Sequence, residues 1–98
     1  MRTTMNALQQ LLAGYFHQDW DLDGGTSSDT VAAFLNEPTD VTTACAEQID
    51  RLLAEDIPEG ELQERLEIWG NQYRAGDTDE DYRGWLIDVR DQIRRSLV

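Results

Sequence analysis

Apolar residues recur every three or four positions along almost the whole chain, and nowhere alternate at period two for long enough to make a strand. That pattern confines the fold to helices packed on helices. Met5, Leu8, Leu12, Tyr15 and Phe16 set out a first helix near residues 4–17. Thr26-Ser27-Ser28-Asp29 supplies N-cap candidates for a second, carrying Val31, Phe34 and Leu35. Pro38 ends it, because the proline ring disfavours helical backbone at Glu37. Thr39 or Asp40 caps a third helix with Val41, Cys45, Ile49 and Leu52 on its inner stripe. Pro58 stands where a fourth would begin, a position whose N–H is unpaired anyway. Leu62, Leu66, Trp69 and Tyr73 form that helix's stripe, and Gly76 closes it. Asp77-Thr78-Asp79 opens a fifth, which turns Tyr82, Leu86, Val89, Ile93 and Leu97 inward. Short connections favour antiparallel neighbours. The expected fold is all-α, a compact bundle of about five helices in one domain over residues 1–98.

Length and charge limit what such a bundle does. Ninety-eight residues suit one domain, and 40% apolar content is enough for a core. Twenty acids face eight bases, all arginine, for a formal charge of −12. Such a chain repels phosphate backbones and anionic lipid, which argues against nucleic-acid and membrane-surface partners and for a basic protein. No apolar run approaches the roughly 20 residues of a membrane span. The first residues lack the apolar stretch of a secretion signal, so a soluble cytoplasmic protein is expected. One cysteine excludes an internal disulfide and a cysteine-based zinc site. Cys45 falls on an apolar stripe and reads as a small buried hydrophobe.

Few residues suggest chemistry. Asp19-Trp20-Asp21-Leu22-Asp23-Gly24 copies the first half of an EF-hand loop, but the bidentate glutamate required at position twelve is Thr30. A calcium-responsive module using Asp19, Asp21 and Asp23 stands as one alternative; a helix-exit loop with aspartates bonding backbone amides is the simpler account. Asp77, Asp79 and Asp81 repeat the spacing with Tyr82 where glycine is needed. His17 is the only histidine and has no nucleophile in a recognisable setting beside it, so no enzyme, catalytic residue, cofactor or metal site is expected. Trp20, Trp69 and Trp85 lie among carboxylates rather than the bases that nucleic-acid stacking needs, which makes them core residues; Trp85, at the stripe edge, is expected to be partly exposed.

The acids are the most informative feature. Residues 39–81 hold thirteen acids and three arginines, whereas residues 82–98 hold two acids and four arginines. Asp40, Glu47 and Asp50 fall opposite the core stripe of the third helix, and Glu61, Glu64 and Glu67 opposite that of the fourth. Glu47 with Arg51 and Glu61 with Arg65 make favourable (i, i+4) pairs, each worth a few tenths of a kcal/mol. Asp50, Glu55, Asp56, Glu59, Glu64 and Glu67 then lack compensation. Such a face either keeps the protein dissolved or docks a basic partner, whose complementary charge speeds association. On the docking reading the contacts are Asp50, Glu55, Glu59, Glu64 and Glu67, with Ile68, off the core stripe, as apolar anchor; Ile87 is similarly off-stripe.

Tyr15-Phe16-His17-Gln18-Asp19-Trp20-Asp21, after a helix and before a loop, resembles a signature of contact-dependent growth inhibition immunity proteins. The resemblance implies a small, mainly helical cytoplasmic antidote. Its partner is the C-terminal toxin domain of a cell-surface effector, often a nuclease, bound stoichiometrically so that its active site or substrate groove is blocked. A small acidic adaptor or regulatory domain with another partner is the remaining alternative.

Overall fold

The computed structural model describes residues 7–16 and 26–97. Among them are five helices and no strand: α1 (Ala7–Gly14), α2 (Ser27–Phe34), α3 (Thr39–Ala54), α4 (Glu61–Ile68) and α5 (Asp79–Ser96). The two long helices, α3 and α5, pack on each other; α1 lies on α3, while α2 and α4 lie on α5. The short helices cannot persist alone, since isolated helices under about 12–15 residues are marginal in water. Burial of one face holds each of them. Leu8, Leu11 and Leu12 of α1, Val31 and Phe34 of α2, Ile49 and Leu52 of α3, Leu62 and Leu66 of α4, and Leu86, Val89 and Ile93 of α5 share one core. Cys45 is buried there, and desolvation pushes its thiol up to about 12, leaving it protonated and unreactive at neutral pH.

Local sequence explains most of the boundaries. Thr26 caps α2 and Thr78 caps α5 through full capping boxes, with Asp29 and Asp81 reaching back to the cap amides. Asp81 accepts from the Asp77 and Thr78 backbone amides, which holds its carboxyl below the usual aspartate range. The third helix starts directly after Pro38, which has no side-chain cap to offer; neither Thr39 nor Asp40 serves as the cap. Gln48 of α3 reaches across to accept from the Leu8 amide in the first turn of α1, 2.8 Å away.

Three boundaries differ from the periodicity. The first helix stops at Gly14, with Tyr15 and Phe16 in the turn beyond; the expected start at residues 4–6 and the end at His17 lie outside the described residues. Pro58 does not open α4. Its carbonyl accepts from the Glu61 amide in a turn, and Gly60, at φ +91°, is the residue before the helix. The fourth helix then ends at Ile68, eight residues before Gly76, so Tyr73 lies in an irregular segment. Gly70 is the stop signal. At φ +103° it completes a Schellman motif in which its amide donates to Glu67 and the Asn71 amide donates to Leu66.

The segment after Gly70 is fixed rather than loose. Buried Asn71 donates from Nδ2 to the Tyr73 carbonyl and accepts at Oδ1 from the Tyr73 amide, while the Gln72 amide donates to the Phe16 carbonyl at 2.8 Å. Tyr73 thereby stacks among aromatic neighbours, 5.5 Å from Phe16 and 4.8 Å from Trp85 between ring centroids. Trp85 is 7% exposed, not partly open as its stripe-edge position suggests, because its ring closes this cluster. Its indole Nε1 donates to Ser27 Oγ at 2.8 Å, meeting the requirement of a buried tryptophan. Trp69, the C-cap of α4, is half-buried against the core. Leu97, expected inward, follows the last turn of α5 and is 40% exposed.

Gly84 sits mid-way along the solvent side of α5, with open space where a Cβ would stand. Glycine in a helix interior costs about 0.5–1 kcal/mol relative to alanine. Gly84→Ala is therefore expected to stabilise the protein by that amount in urea denaturation; a loss of stability contradicts the open-space assignment.

Candidate functional site

The acidic surface divides once its arginines are placed. Asp50 is not free: it accepts from Arg90 at 2.9 Å and from Arg94, both on α5, and so ties α3 to α5. Helical spacing puts it opposite the core, yet α5 lies along that side of α3, and its two arginines are drawn there. Burial raises the Asp50 pKa, but the hydrogen bonds from Arg90 and Arg94 outweigh it and leave the carboxyl below its ordinary value. Glu55 is also engaged, 2.8 Å from Arg65. Arg65 thus bonds to the end of α3 instead of to Glu61 one turn away on its own helix, and Glu47 and Arg51 do not meet. Asp50 and Glu55, expected among the uncompensated acids, are compensated within the fold.

The Asp50 pairing has a pH signature. A carboxyl whose folded pKa is depressed contributes stability above its unfolded pKa, about 3.9 for aspartate, and loses it as pH falls through the folded value. Removing the arginines in Arg90→Gln/Arg94→Gln is expected to raise the Asp50 midpoint in a carbon-13 NMR titration. The stability gap to the parent protein is expected at pH 7 and to close as pH falls through the folded Asp50 midpoint; a gap independent of pH refutes the ion-pair account.

Four of the remaining acids gather on α4 and in the turn before it. Glu59, Glu61, Glu64 and Glu67 are exposed and have no ion pair among the described residues. Glu61, Glu64 and Ile68 lie three, four and seven positions apart and so share one side of the helix. Ile68 is 75% exposed, more than the other exposed large apolar residues, Ile87 and Leu97. This places an apolar side chain amid carboxylates, the composition of a contact centre with a charged rim.

The helix that carries this face is anchored at both ends. At its start, Asp79 is only 5% exposed, and its carboxylate accepts from the amides of Gly60 (2.7 Å), Gln63 (3.3 Å) and Leu62 (3.4 Å). The N-cap residue, Gly60, has no side chain to supply this, so a residue on α5 caps α4 from a distance. The anion also complements the positive end of the helix dipole. Asp77-Asp79-Asp81, which echoes cation-loop spacing, resolves into an exposed partner of Arg74, this remote cap and the capping-box member of α5. At the other end, Gly70 lies directly against Ala13 of α1.

Beside the C-terminal half of α4 lies a cleft of about 380 Å³, lined by Gln63, Glu67, Asn71, Gln72, Tyr73, Arg74, Asp77 and Tyr82. Sequence reasoning missed it, because it depends on α4 stopping at Gly70 and on the chain crossing in front of α5.

Of the motif Tyr15–Asp21, only Tyr15 and Phe16 are described. Tyr15 packs edge-on against Phe34, 5.4 Å away, and its hydroxyl donates to Glu37 at 2.5 Å. That bond, with burial, raises its pKa above the usual phenol value. Phe16 is fully buried. Both residues pack the fold. His17, Gln18, Asp19, Trp20, Asp21 and Asp23, with the calcium alternative, lie outside the described residues. Among the described residues no group of three His, Cys, Asp or Glu side chains is placed to hold a metal ion, and no helix is long and apolar enough to cross a membrane.

The profile of the CdiI immunity protein family matches residues 4–93. One chain of the crystal structure of a CdiA-CT/CdiI complex from Y. kristensenii 33638 is similar in fold, with a TM-score of 0.77 and 28% identity, covering 89% of this chain and 95% of that one. No curated protein sequence matches the chain.

Proposed function

From the premise that the chain belongs to the CdiI immunity protein family, we propose that it neutralises the C-terminal toxin domain of a cognate contact-dependent growth inhibition effector. It acts in the cytoplasm by stoichiometric binding, without catalysis. The similar Y. kristensenii chain belongs to a toxin–immunity complex, which supports a protein toxin as the partner. The observation that carries the site assignment is the solvent face of α4 with the turn before it, where Glu59, Glu64 and Glu67 have no ion pair among the described residues and Ile68 is 75% exposed.

Glu55, bonded to Arg65 of α4, becomes a supporting charge beside this face, whereas Asp50 is held by Arg90 and Arg94 of α5 and drops out of it. The face suits a basic toxin. A nuclease presents a cationic groove to its substrate, and carboxylates occupy such a groove as phosphate stand-ins. A toxin must be captured before it acts, which favours charge-steered association.

Reversing Glu59, Glu64 and Glu67 together to arginine is expected to weaken binding to the cognate toxin domain at least tenfold, about 1.4 kcal/mol. The helical circular dichroism stays unchanged, because none of the three has an internal ion-pair partner among the described residues. Parental affinity in the triple variant removes the α4 face from the interface. Stopped-flow association should also slow as salt rises, because the Debye length falls from about 10 Å at 0.1 M to about 3 Å at 1 M.

A further inference from the structure

We infer that the cleft beside α4 receives an arginine side chain of the toxin, with Ile68 covered next to it. The inference rests on the immunity reading and identifies the chemical group that the acidic face takes in. At about 380 Å³ the cleft is near the lower end of ligand-pocket volumes, roughly 300–1,000 Å³, and suits one long side chain rather than a run of nucleotides. Its charge is that of Glu67 plus an Arg74–Asp77 pair at the rim, so one carboxylate remains uncompensated.

The donor and acceptor pattern selects among cations. The side-chain amides of Gln63 and Gln72 make no hydrogen bond among the described residues, and Glu67 has no ion pair there. Two side-chain amides, each able to turn its carbonyl inward, and a carboxylate therefore line one cavity. A guanidinium offers five N–H donors in a fixed plane, whereas an ammonium offers three on a compact, strongly hydrated centre. Buried Tyr82 closes one wall of the cleft, its phenol group within electrostatic reach of Glu67, Arg74 and Asp77. Gln63 and Glu67 are one turn apart, and Glu64 and Ile68 form the adjacent row. An arginine entering the cleft thus brings the toxin surface down onto Ile68.

Arg74 is an internal competitor, since it occupies the Asp77 carboxylate at the rim. The test measures binding of the full chain to its cognate toxin domain, with toxin arginines changed singly to lysine. Glu67→Gln is expected to lose at least tenfold in affinity, and Arg74→Gln to gain two- to fivefold as Asp77 is released. Glu47→Gln, on exposed α3 surface, should stay within twofold. One toxin arginine-to-lysine change should cost at least tenfold against the parental chain and under threefold against Glu67→Gln, the coupling that marks a direct pair. If the parental chain binds but Glu67→Gln stays within twofold, or no toxin arginine couples to it, the cleft assignment is overturned while the immunity reading stands. If the parental chain does not bind the toxin domain, both fall.

Discussion

Gly70→Ala is expected to cost the fold about 2–5 kcal/mol, read as a lowered urea midpoint at unchanged slope. Two independent penalties add. At φ +103° a side chain is strained whatever space surrounds it, and left-handed backbone costs an L-residue roughly 1–2 kcal/mol. The added Cβ would also stand 2.7 Å from Ala13 Cβ and 2.9 Å from Ala13 Cα, so α1 and the end of α4 must move apart. Overpacking of that kind typically costs 1–3 kcal/mol. With domain stabilities of about 5–15 kcal/mol, the variant loses a large share of its margin. Adding Ala13→Gly removes the nearer clash but leaves the backbone strain and the crowding against the main chain of α1, so recovery should be partial. A cost below about 1 kcal/mol for Gly70→Ala contradicts the close approach of α1.

Asp79→Ala is expected to cost about 2–4 kcal/mol. The carboxylate is buried and meets three amides at the start of α4; without it, donors are left unsatisfied at a cost of about 1–3 kcal/mol, and the helix loses a charged cap. Asp79→Asn should fall between, because the amide keeps one acceptor oxygen while Gly60 and Gln63 bond to different oxygens of the native side chain. Glu80→Ala, at the exposed neighbouring position, should stay within about 0.5 kcal/mol. Hydrogen exchange gives the local readout: the amides of Gly60, Leu62 and Gln63 lose protection in Asp79→Ala. If they keep it, the cap is provided by something else.

The core was legible in the sequence because burial imposes a period that survives without knowledge of neighbours. Leu8, Leu12, Val31, Phe34, Ile49, Leu62, Leu66, Leu86 and Ile93 are all buried as their spacing requires. The starts of α2 and α5 were legible as short runs of candidates, Thr26-Ser27-Ser28-Asp29 and Asp77-Thr78-Asp79, within which Thr26 and Thr78 are the caps. What escaped depends on distant partners. Nothing near Gly60 announces that Asp79 caps the fourth helix, and the apolar stripe through Trp69 and Tyr73 hid the left-handed turn at Gly70. The exposure of Glu64, Glu67 and Ile68 was legible because they fall off the core stripe, whereas the pairing of Asp50 with Arg90 and Arg94 spans at least 40 residues and has no local trace.

The remote cap also sets an order of events during translation. A ribosome delivers α4 before the aspartate that completes it, so the surface assigned to toxin capture assembles only when the last long helix has emerged and docked. A chain halted ahead of Asp79 therefore leaves the fourth helix without its cap, and the face that helix carries unanchored at its start.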